Sequence, residues 1–597
     1  MSESISNERL SKRNLWGYSM GGIGRDMAYQ LVNTYLLTFI TFTKGLSNTE
    51  FAMVGVIMVI CRIFDGCNDP FMGSIIEITR TKIGKFKPWI LAGVFTNVAV
   101  IIALFCVPLR GTSYLIFFAF GYLLWGMTYT MNDISYWGMM PSLSSNPNDR
   151  NNLATLANIG AGVGAGLSVL AIPSLTQGNL AIAPNASKSY AIVSIIVCIL
   201  FFACQIMTVL VVKEKPLPKV RVDDGEKRSL KEMFRVIFKN DQLKPVMAAM
   251  LLYSIGSGIT MALASYWIYY RFAYQGLLVT LFTVISGIST VVIVFFPILC
   301  KKHSRRWISK LSMIMIIVGY LLMFIISLAT GADPKADKVG FKVGEVFIPV
   351  TFIFTGLSGA CAFFGQTLFY QVLTISVANT VEYNEYTTGM RDEGVIFACR
   401  PFTTKLGSAA VVGITTLVVL ALGLNPTNKA ISNADYEAGQ LAVQVEQLVK
   451  DETPNFDSLS KEEQTKLIEA KKKSIETENV AKIENIIRTD EDTKVAKWQY
   501  QTMFAFMTLL PLVILLGSFA IYFKKYNISE ERYDEICAEI AKRKLAAEDN
   551  EEVVLDGADV NELENDIASS DAETPDEIFE QEAAADKISK APDEVEK

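Results

Sequence analysis

The sequence predicts an all-α membrane protein with twelve transmembrane helices arranged as two halves of six. Hydrophobic residues make up 51% of its 597 residues and charged residues only 19%. A soluble chain has about 25% charged residues. Apolar stretches of about 18 or more residues, each long enough to cross about 30 Å of hydrocarbon, recur about twelve times. A long polar segment divides them into two groups.

The predicted spans fall into two sets separated by "VVKEKPLPKVRVDDGEKRSLKEMFRVIFKNDQ". The first six begin near Trp16, Phe51, Trp89, Tyr114, Leu153 and Tyr190. The second six begin near Val246, Leu277, Trp307, Val346, Val395 and Met503. The charges and prolines of the intervening segment exclude it from lipid. We therefore predict a first half at 1–212, a surface loop at 213–240 and a second half at 241–524, a division typical of transporters.

Positive charge in the short loops predicts the orientation of the chain. The loops "TRTKIGKFKPW" and "CKKHSRRWISK" are rich in lysine and arginine, whereas "KGLSNTE" and "PSLTQGNLAIAPNASKSY" carry few. Since positive loops stay on the cytoplasmic side, both termini and the central loop are expected to be cytoplasmic. The nine cysteines lie mostly within apolar spans, and we interpret them as free thiols.

Two polar appendages interrupt the apolar pattern. An insertion at 424–497, between the eleventh and twelfth spans, alternates glutamate with lysine and predicts a small helical cap outside the membrane on the extracytoplasmic side. The tail at 525–597 is strongly acidic and is expected to be a disordered cytoplasmic segment.

The second span carries carboxylates in "RIFDGCNDP". Asp65, Asn68 and Asp69 are spaced i, i+3 and i+4, so they project from one face of a helix. Since a lone charge at the bilayer centre costs at least about 2.5 kcal/mol, something cationic must complete this cluster. A small hard cation suits its oxygen ligands. The alternative is a packing salt bridge with Arg62 or Lys405.

The first and fourth spans carry further charges. In "WGMTYTMNDISYWGMMP", Thr130, Asp133 and Trp137 share a helix face, and a carboxylate beside an aromatic ring suits a sugar. Trp137 has the alternative of an interface anchor. Arg25 and Asp26 interrupt the first span, either as a plain ion pair or with Asp26 facing a cavity.

The second half carries charges at two depths. Glu382, Glu385 and Arg391, in "VEYNEYTTGMRDEG", are dense enough to predict an interfacial gate network, to which we add Arg62. Lys405 lies deeper, in "RPFTTKLGSAAVV", and a lysine there needs an acidic partner. The aspartates of the second and fourth spans are the nearest candidates.

These stretches resemble the glycoside–pentoside–hexuronide:cation symporters. The resemblance runs from about Leu15 to Lys524 without the insertion, and "KNDQL" also matches. It implies the major facilitator fold and cation-coupled sugar import by a bacterial cytoplasmic (inner) membrane protein. By that resemblance Asp26 and Asp133 bind the sugar and Trp137 stacks on it. Arg25 is counted with these predicted sugar-binding residues. The coupling cation is held by the residues Asp65, Asn68, Asp69 and Thr130, with Lys405 alongside.

The chain departs from the family pattern at three further positions. One member of the family carries an arginine near the sugar in the fifth span, where Asn158 falls, and a tryptophan in the tenth span, where Tyr370 falls. Asn379 stands in place of an aspartate. Asn158 and Tyr370 are therefore counted with the predicted sugar-binding residues.

We expect a sodium ion at Asp65 and Asp69, since Asn68 and Thr130 are non-titrating oxygen ligands that a proton would not need. A proton is the alternative. The other expected partners are a sugar and the lipid bilayer, with no nucleic acid and no cofactor, and the chain is expected to be monomeric. Two rival functions are a membrane prenyltransferase with an aspartate-rich metal site and a sugar sensor that moves no substrate.

Overall fold

The computed structural model describes residues 10–144, 147–214, 239–272, 274–289, 295–330, 339–343, 346–390 and 393–543. Residues 215–238 of the predicted central loop lie outside the described residues, as do Arg391 and the acidic tail from residue 544.

The first half of the chain is a bundle of long helices. They are α1 (Lys12–Thr43), α2 (Asn48–Ile78), α3 (Lys87–Cys106), α4 (Gly111–Met139), α5 (Pro147–Thr176) and α6 (Ala186–Val211). α2 begins with a capping box, in which Ser47 Oγ accepts from the Glu50 amide and Glu50 accepts from the Ser47 amide.

Glycines let α1 and α5 pack closely, and this contact positions the charged part of α1. A Cβ atom at Gly160 would lie 2.4 Å from the carbonyl oxygen of Ser19, and one at Gly164 would lie 2.0 Å from that of Ile23. Either substitution would push the helices apart, because backbone atoms cannot yield as a flexible side chain can. α1 also packs on α6, and α3 packs on α4 and α6.

The second half repeats this helical arrangement. Its elements are α7 (Leu243–Arg271), α8 (Gly276–Ser289), α9 (Phe296–Lys302), α10 (Arg305–Thr330), α11 (Val350–Thr388) and α12 (Glu393–Ala421), with the last span as α16 (Lys497–Lys525). An unpredicted antiparallel hairpin of β1 (Gly340–Val343) and β2 (Val346–Pro349) precedes α11. Paired strands take up the apolar residues at 346–349, so the tenth span begins four residues later than the apolar pattern predicts.

The helices account for the predicted number of spans. Within the described ranges, nine helices are long and apolar enough to cross a membrane. α1 and α2 are as long but carry the charges of the candidate site, and the eighth span is formed by α8 and α9, with residues 290–294 between them outside the described part. The predicted twelve-helix membrane fold is confirmed. All nine cysteines are free thiols.

The insertion forms three helices, α13 (Asn425–Val443), α14 (Val445–Glu452) and α15 (Lys461–Arg488). Ala438, Val445, Val449, Phe456 and Ile475 form its small buried core. These apolar residues explain why a segment so rich in glutamate and lysine folds.

The described residues 382–390 and 530–543 belong to a second compact unit. The prediction that the whole tail is disordered is wrong for residues 530–543, which are helical. Ile536 and Ile540, one turn apart, are buried, and Arg532 and Arg543 lie over the ring of Tyr386 at 5.7 and 4.9 Å. An apolar stripe and two cation–π contacts order this segment although its composition is highly charged.

Two pairs of helices make the largest contacts between the two halves of the bundle. α2 packs on α12, and α5 packs on α8. Each pair joins one helix of the first half to one of the second, so side chains of both halves can contribute to a single site between them.

Candidate cation and sugar sites

Two carboxylates of α2 meet a lysine of α12 and a hydroxyl of α4. Lys405 Nζ lies 3.0 Å from Asp65 Oδ2 and 2.7 Å from Asp69 Oδ2. Thr130 Oγ1 donates to Asp65 Oδ1 at 2.7 Å. The four side chains, here called the cation cluster, are Asp65, Asp69, Thr130 and Lys405. They come from both halves of the bundle.

With both carboxylates ionised, the cation cluster carries one uncompensated formal negative charge. Its two carboxylates contribute −2 and the Lys405 ammonium +1, so one monovalent cation would make the cluster neutral. The predicted packing salt bridge with Lys405 is therefore present, but the single ammonium compensates only one of the two carboxylate charges. Among the described residues, no group of three or more His, Cys, Asp and Glu side chains converges as a metal site.

Arg62 has other partners. Its Nε donates to Tyr122 Oη at 2.8 Å, and its Nη1 lies 3.5 Å from Ser408 Oγ on α12. In the described part of the chain no carboxylate oxygen lies within 4.0 Å of an Arg62 nitrogen, the limit for a salt bridge. The alternative of an Arg62–Asp65 salt bridge is therefore wrong. The predicted partners Glu382 and Glu385 belong to the second compact unit.

A second charged cluster joins α1 to α4. Arg25 is buried and donates to Asp26 Oδ2 from Nη2 at 2.6 Å and from Nε at 3.1 Å. Its Nη1 lies 3.2 Å from Asp133 Oδ1, and its guanidinium carbon lies 4.8 Å from the centre of the Trp137 ring. We call Arg25, Asp26, Asp133 and Trp137 the arginine cluster.

The arginine cluster combines a buried cation with accessible acids. The side chains of Asp26 and Asp133 are 21% and 34% exposed to solvent, whereas that of Arg25 is 3% exposed. The guanidinium therefore fixes the two carboxylates while leaving oxygens that can accept from a ligand. The predicted ion pair of Arg25 and Asp26 is present, and Asp133 shares it.

The remaining predicted side chains lie elsewhere. Asn68 is half-buried and makes no hydrogen bond to the cation cluster in the described part of the chain. Asn158 is exposed and donates to the Ala154 carbonyl of its own helix at 2.8 Å. Tyr370 stacks on Tyr253 with ring centres 5.4 Å apart and accepts from Arg400 at 2.7 Å.

A cavity of about 460 Å³ lies between the halves. Of the predicted residues, Arg62 and Tyr370 line it, together with unpredicted polar residues of α1, α7 and α12 such as Asn33, Ser257 and Ser408. Its volume falls within the roughly 300–1,000 Å³ usual for small-molecule sites. Single hydroxyls and amides in apolar helices give no sequence signal that separates a cavity wall from a packed interface, so these residues could not be predicted.

Comparison with known proteins identifies the family of this chain. The profile of the family described as MFS/sugar transport protein matches residues 17–442, well over half of the chain. The chain belongs to this family. The resemblance to the glycoside–pentoside–hexuronide:cation symporters is confirmed at the level of the family.

Three relatives of this sugar transport family member carry names that state their cargo. It is 26% identical to the raffinose carrier protein of Pediococcus pentosaceus over 71% of this chain and 64% of that protein. It is 28% identical to the lactose permease of Lactobacillus delbrueckii subsp. bulgaricus over 68% and 63%. It is 26% identical to the isoprimeverose transporter of Lactiplantibacillus pentosus over 68% and 80%.

The chain spans slightly less than two thirds of the length of the raffinose carrier and the lactose permease. The family and these relatives are transporters and not enzymes, which excludes the prenyltransferase alternative for this family member.

Proposed function

We propose that this protein carries a neutral glycoside across a membrane together with one monovalent cation, by alternating access of a site between its two halves. The single observation that carries the proposal is the cation cluster, in which side chains from both halves meet and leave one negative charge over. The raffinose, lactose and isoprimeverose relatives support a saccharide as cargo.

The proposed sugar site is the arginine cluster. Asp26 and Asp133 would accept from sugar hydroxyls, and Trp137 would cover the apolar face of a sugar ring. Two carboxylates against one guanidinium leave a net charge of −1 there as well. Since an anionic hexuronate would be repelled by that charge, we favour an uncharged glycoside.

The proposed coupling ion is sodium, with a proton as the alternative. A sodium ion needs several oxygen ligands, and the cation cluster offers two carboxylates and the Thr130 hydroxyl, with Asn68 on the same face of α2. Lys405 would shift away from one carboxylate when the ion binds. A proton would need only one carboxylate oxygen.

Coupling follows from the cost of leaving groups unpaired. Cation alone or sugar alone would leave hydroxyls or charges without partners in a closed, dry site, so the empty and the doubly loaded carrier reorient most readily. One cation moving down 100 mV releases about 2.3 kcal/mol, and a tenfold gradient adds about 1.4 kcal/mol. Together they set a ceiling of about 500-fold sugar accumulation.

We further propose that the protein lies as a monomer in a bacterial cytoplasmic membrane, with both termini and the central loop inside the cell. The positive loops on that side support this orientation. It puts the insertion on the outer face.

Counterflow in proteoliposomes tests the function. Purified protein is reconstituted with unlabelled raffinose, lactose or a xyloside inside, and entry of the labelled sugar is followed with and without an inward sodium gradient at fixed pH. We expect counterflow of at least one sugar and accumulation only with sodium. Absence of counterflow for every glycoside would support the sensor alternative, and accumulation that follows only a pH gradient would replace sodium by a proton.

A further inference from the structure

The insertion docks on the first half of the bundle, although the chain carries it between two helices of the second half. Asp435 of α13 is buried at the start of α6, where its Oδ1 accepts from the Ala186 amide at 2.5 Å and its Oδ2 from the Ser187 amide at 3.2 Å. The Asn185 side chain donates to the same carboxylate at 3.3 Å. Asp435 thus supplies α6 with the capping carboxylate that its own sequence lacks.

Arg110, just before α4, holds the same face of α13. Its Nη2 donates to the Ser432 carbonyl at 3.0 Å, to Ser432 Oγ at 2.9 Å and to Asn433 Oδ1 at 3.0 Å. Its guanidinium also lies over the ring of Tyr436, 4.5 Å from the ring centre. A planar cation with several donors makes this contact directional.

Two amides extend the docked surface. Asn425 donates to the Leu46 carbonyl, between α1 and α2, at 3.1 Å. Asn479 of α15 donates to the Pro184 carbonyl, before α6, at 3.2 Å. The insertion therefore contacts the first half at the α1–α2, α3–α4 and α5–α6 connections.

The insertion is tied to the second half as well. It continues directly from α12 and leads into α16, and Tyr270 at the end of α7 donates to Asn428 Oδ1 at 2.5 Å. Gln499 at the start of α16 donates to the Leu422 carbonyl at the end of α12 at 2.6 Å, so the two helices that flank the insertion are bonded to each other. Any rotation of one half against the other must therefore strain or break the contacts on one side of the insertion.

The bundle itself is closed on the side that carries the insertion. Thr41 and Tyr266 are hydrogen-bonded at 2.9 Å between α1 and α7, and Phe42 packs edge-on against Tyr269 and Tyr274. Gln177 donates to Tyr274 Oη at 3.0 Å. The insertion thus spans the two halves directly beside this closed end.

We infer that the insertion is a latch, which holds the two halves together on its own side through α13 and must undock before the site opens there. This inference rests on the proposed alternating access. It assigns to a segment of more than sixty residues the task of stabilising one of the two access states from outside the membrane.

A reversible cross-link tests the latch. A Cβ atom at Gly439 would lie 2.7 Å from the Asn185 side-chain nitrogen, so the pair Gly439→Cys and Asn185→Cys lies within disulfide reach. The pair is made in a background whose native cysteines are replaced by serine. We expect oxidation to lower sugar counterflow at least tenfold and reduction to restore it, while each single variant stays unaffected by oxidant. Counterflow unchanged in the oxidised pair would overturn the latch.

A variant that weakens docking of the insertion tests the latch without any sugar. Cys106 is half-buried and lines a cavity of about 260 Å³ between α13 and the bundle. In a variant that keeps Cys106 as its single cysteine, the rate of labelling by a membrane-impermeant thiol reagent should therefore rise when the insertion undocks. Asp435→Ala removes three hydrogen bonds between α13 and the start of α6 and should speed labelling at least tenfold.

The matched control is Glu452→Ala. Glu452 pairs with Lys471 at 2.7 Å inside the insertion, so its loss should change labelling less than twofold. Equal labelling of Asp435→Ala and the wild type would contradict the latch. If the wild type shows no counterflow at all, the proposed function fails, whereas the labelling result still decides whether the insertion undocks.

Discussion

Lys405 and Asp69 stand on opposite halves of the bundle, and the Lys405 ammonium lies 2.8 and 2.7 Å from the two carboxylate oxygens of Asp69. The pair joins α12 to α2, and it is also part of a cluster whose formal net charge is −1. Any ion that enters the cluster must compete with this ammonium, which makes cation binding and the contact between the halves interdependent.

Neutralising one aspartate of the cation cluster should uncouple the protein. In Asp65→Asn or Asp69→Asn the formal charge of the cluster becomes zero, so a cation is no longer attracted. We expect sodium-driven accumulation to disappear while counterflow persists, because the arginine cluster is intact. Glu50→Gln is the control, since Glu50 lies on the same helix but bonds to Ser47. Normal accumulation in both aspartate variants would mean that the cluster is structural.

Removing the lysine should destabilise the protein, and removing an aspartate with it should restore part of the loss. Lys405→Met leaves two neighbouring carboxylates without a cation in a partly buried site. We expect a lower melting temperature in detergent, and a coupling free energy of about 1–3 kcal/mol with Asp69→Asn in a double-mutant cycle. Additive effects of the two changes would show that the bridge contributes nothing to stability.

Asp133→Asn should weaken sugar binding. The change keeps the shape of the side chain but removes charge-assisted bonds to sugar hydroxyls, each worth about 1.5–3 kcal/mol, which corresponds to a loss of about ten- to 150-fold in affinity. Calorimetric titration of the purified protein measures it. The control is Asp149→Asn, at a carboxylate that accepts from the Leu10 amide at 2.8 Å. Unchanged affinity would leave Arg25, Asp26 and Asp133 as a packing cluster.

Docking of the insertion should strengthen as the pH falls. Burial raises the pKa of Asp435 to about 6, and the bonds from Ala186, Ser187 and Asn185 and the charge of Arg110 offset burial only in part. An undocked, solvent-exposed aspartate has a pKa of about 3.9. Because the docked form binds the proton more tightly, protonation stabilises docking fully below about pH 4, and this contribution is lost as the pH rises through 6.

Labelling of Cys106 measures this pH dependence. Between pH 7 and pH 5 docking should become about tenfold more favourable, after correction for the reactivity of the thiol in unfolded protein. The cations that face Asp435 are Lys44, Arg110 and Lys188, and Tyr274 also lies close. Burial and Arg110 lower the pKa of Lys44 to about 8, so it stays charged in this window. In Asp435→Asn the pH effect should vanish, and its persistence there would assign the titration to another group.

The sequence alone determined which charged side chains share a helix face. Residues three and four apart lie together on any α-helix, so "RIFDGCNDP" brings Asp65 and Asp69 to one face whatever surrounds α2. The cost of a charge in hydrocarbon required a cationic partner for them. The same local rules gave the twelve spans and the position of the insertion.

The tertiary structure decided which partners those faces meet. Thr130 and Asp133 share a face of α4, yet Thr130 bonds to Asp65 and Asp133 lies against Arg25. Lys405 reaches Asp69 across 336 positions of sequence, and Asp435 caps α6 across 249. Helical periodicity repeats every few residues and carries no information about such distances. These pairings are set by which helices pack together, and that depends on close contacts such as those that Gly160 and Gly164 of α5 make with α1.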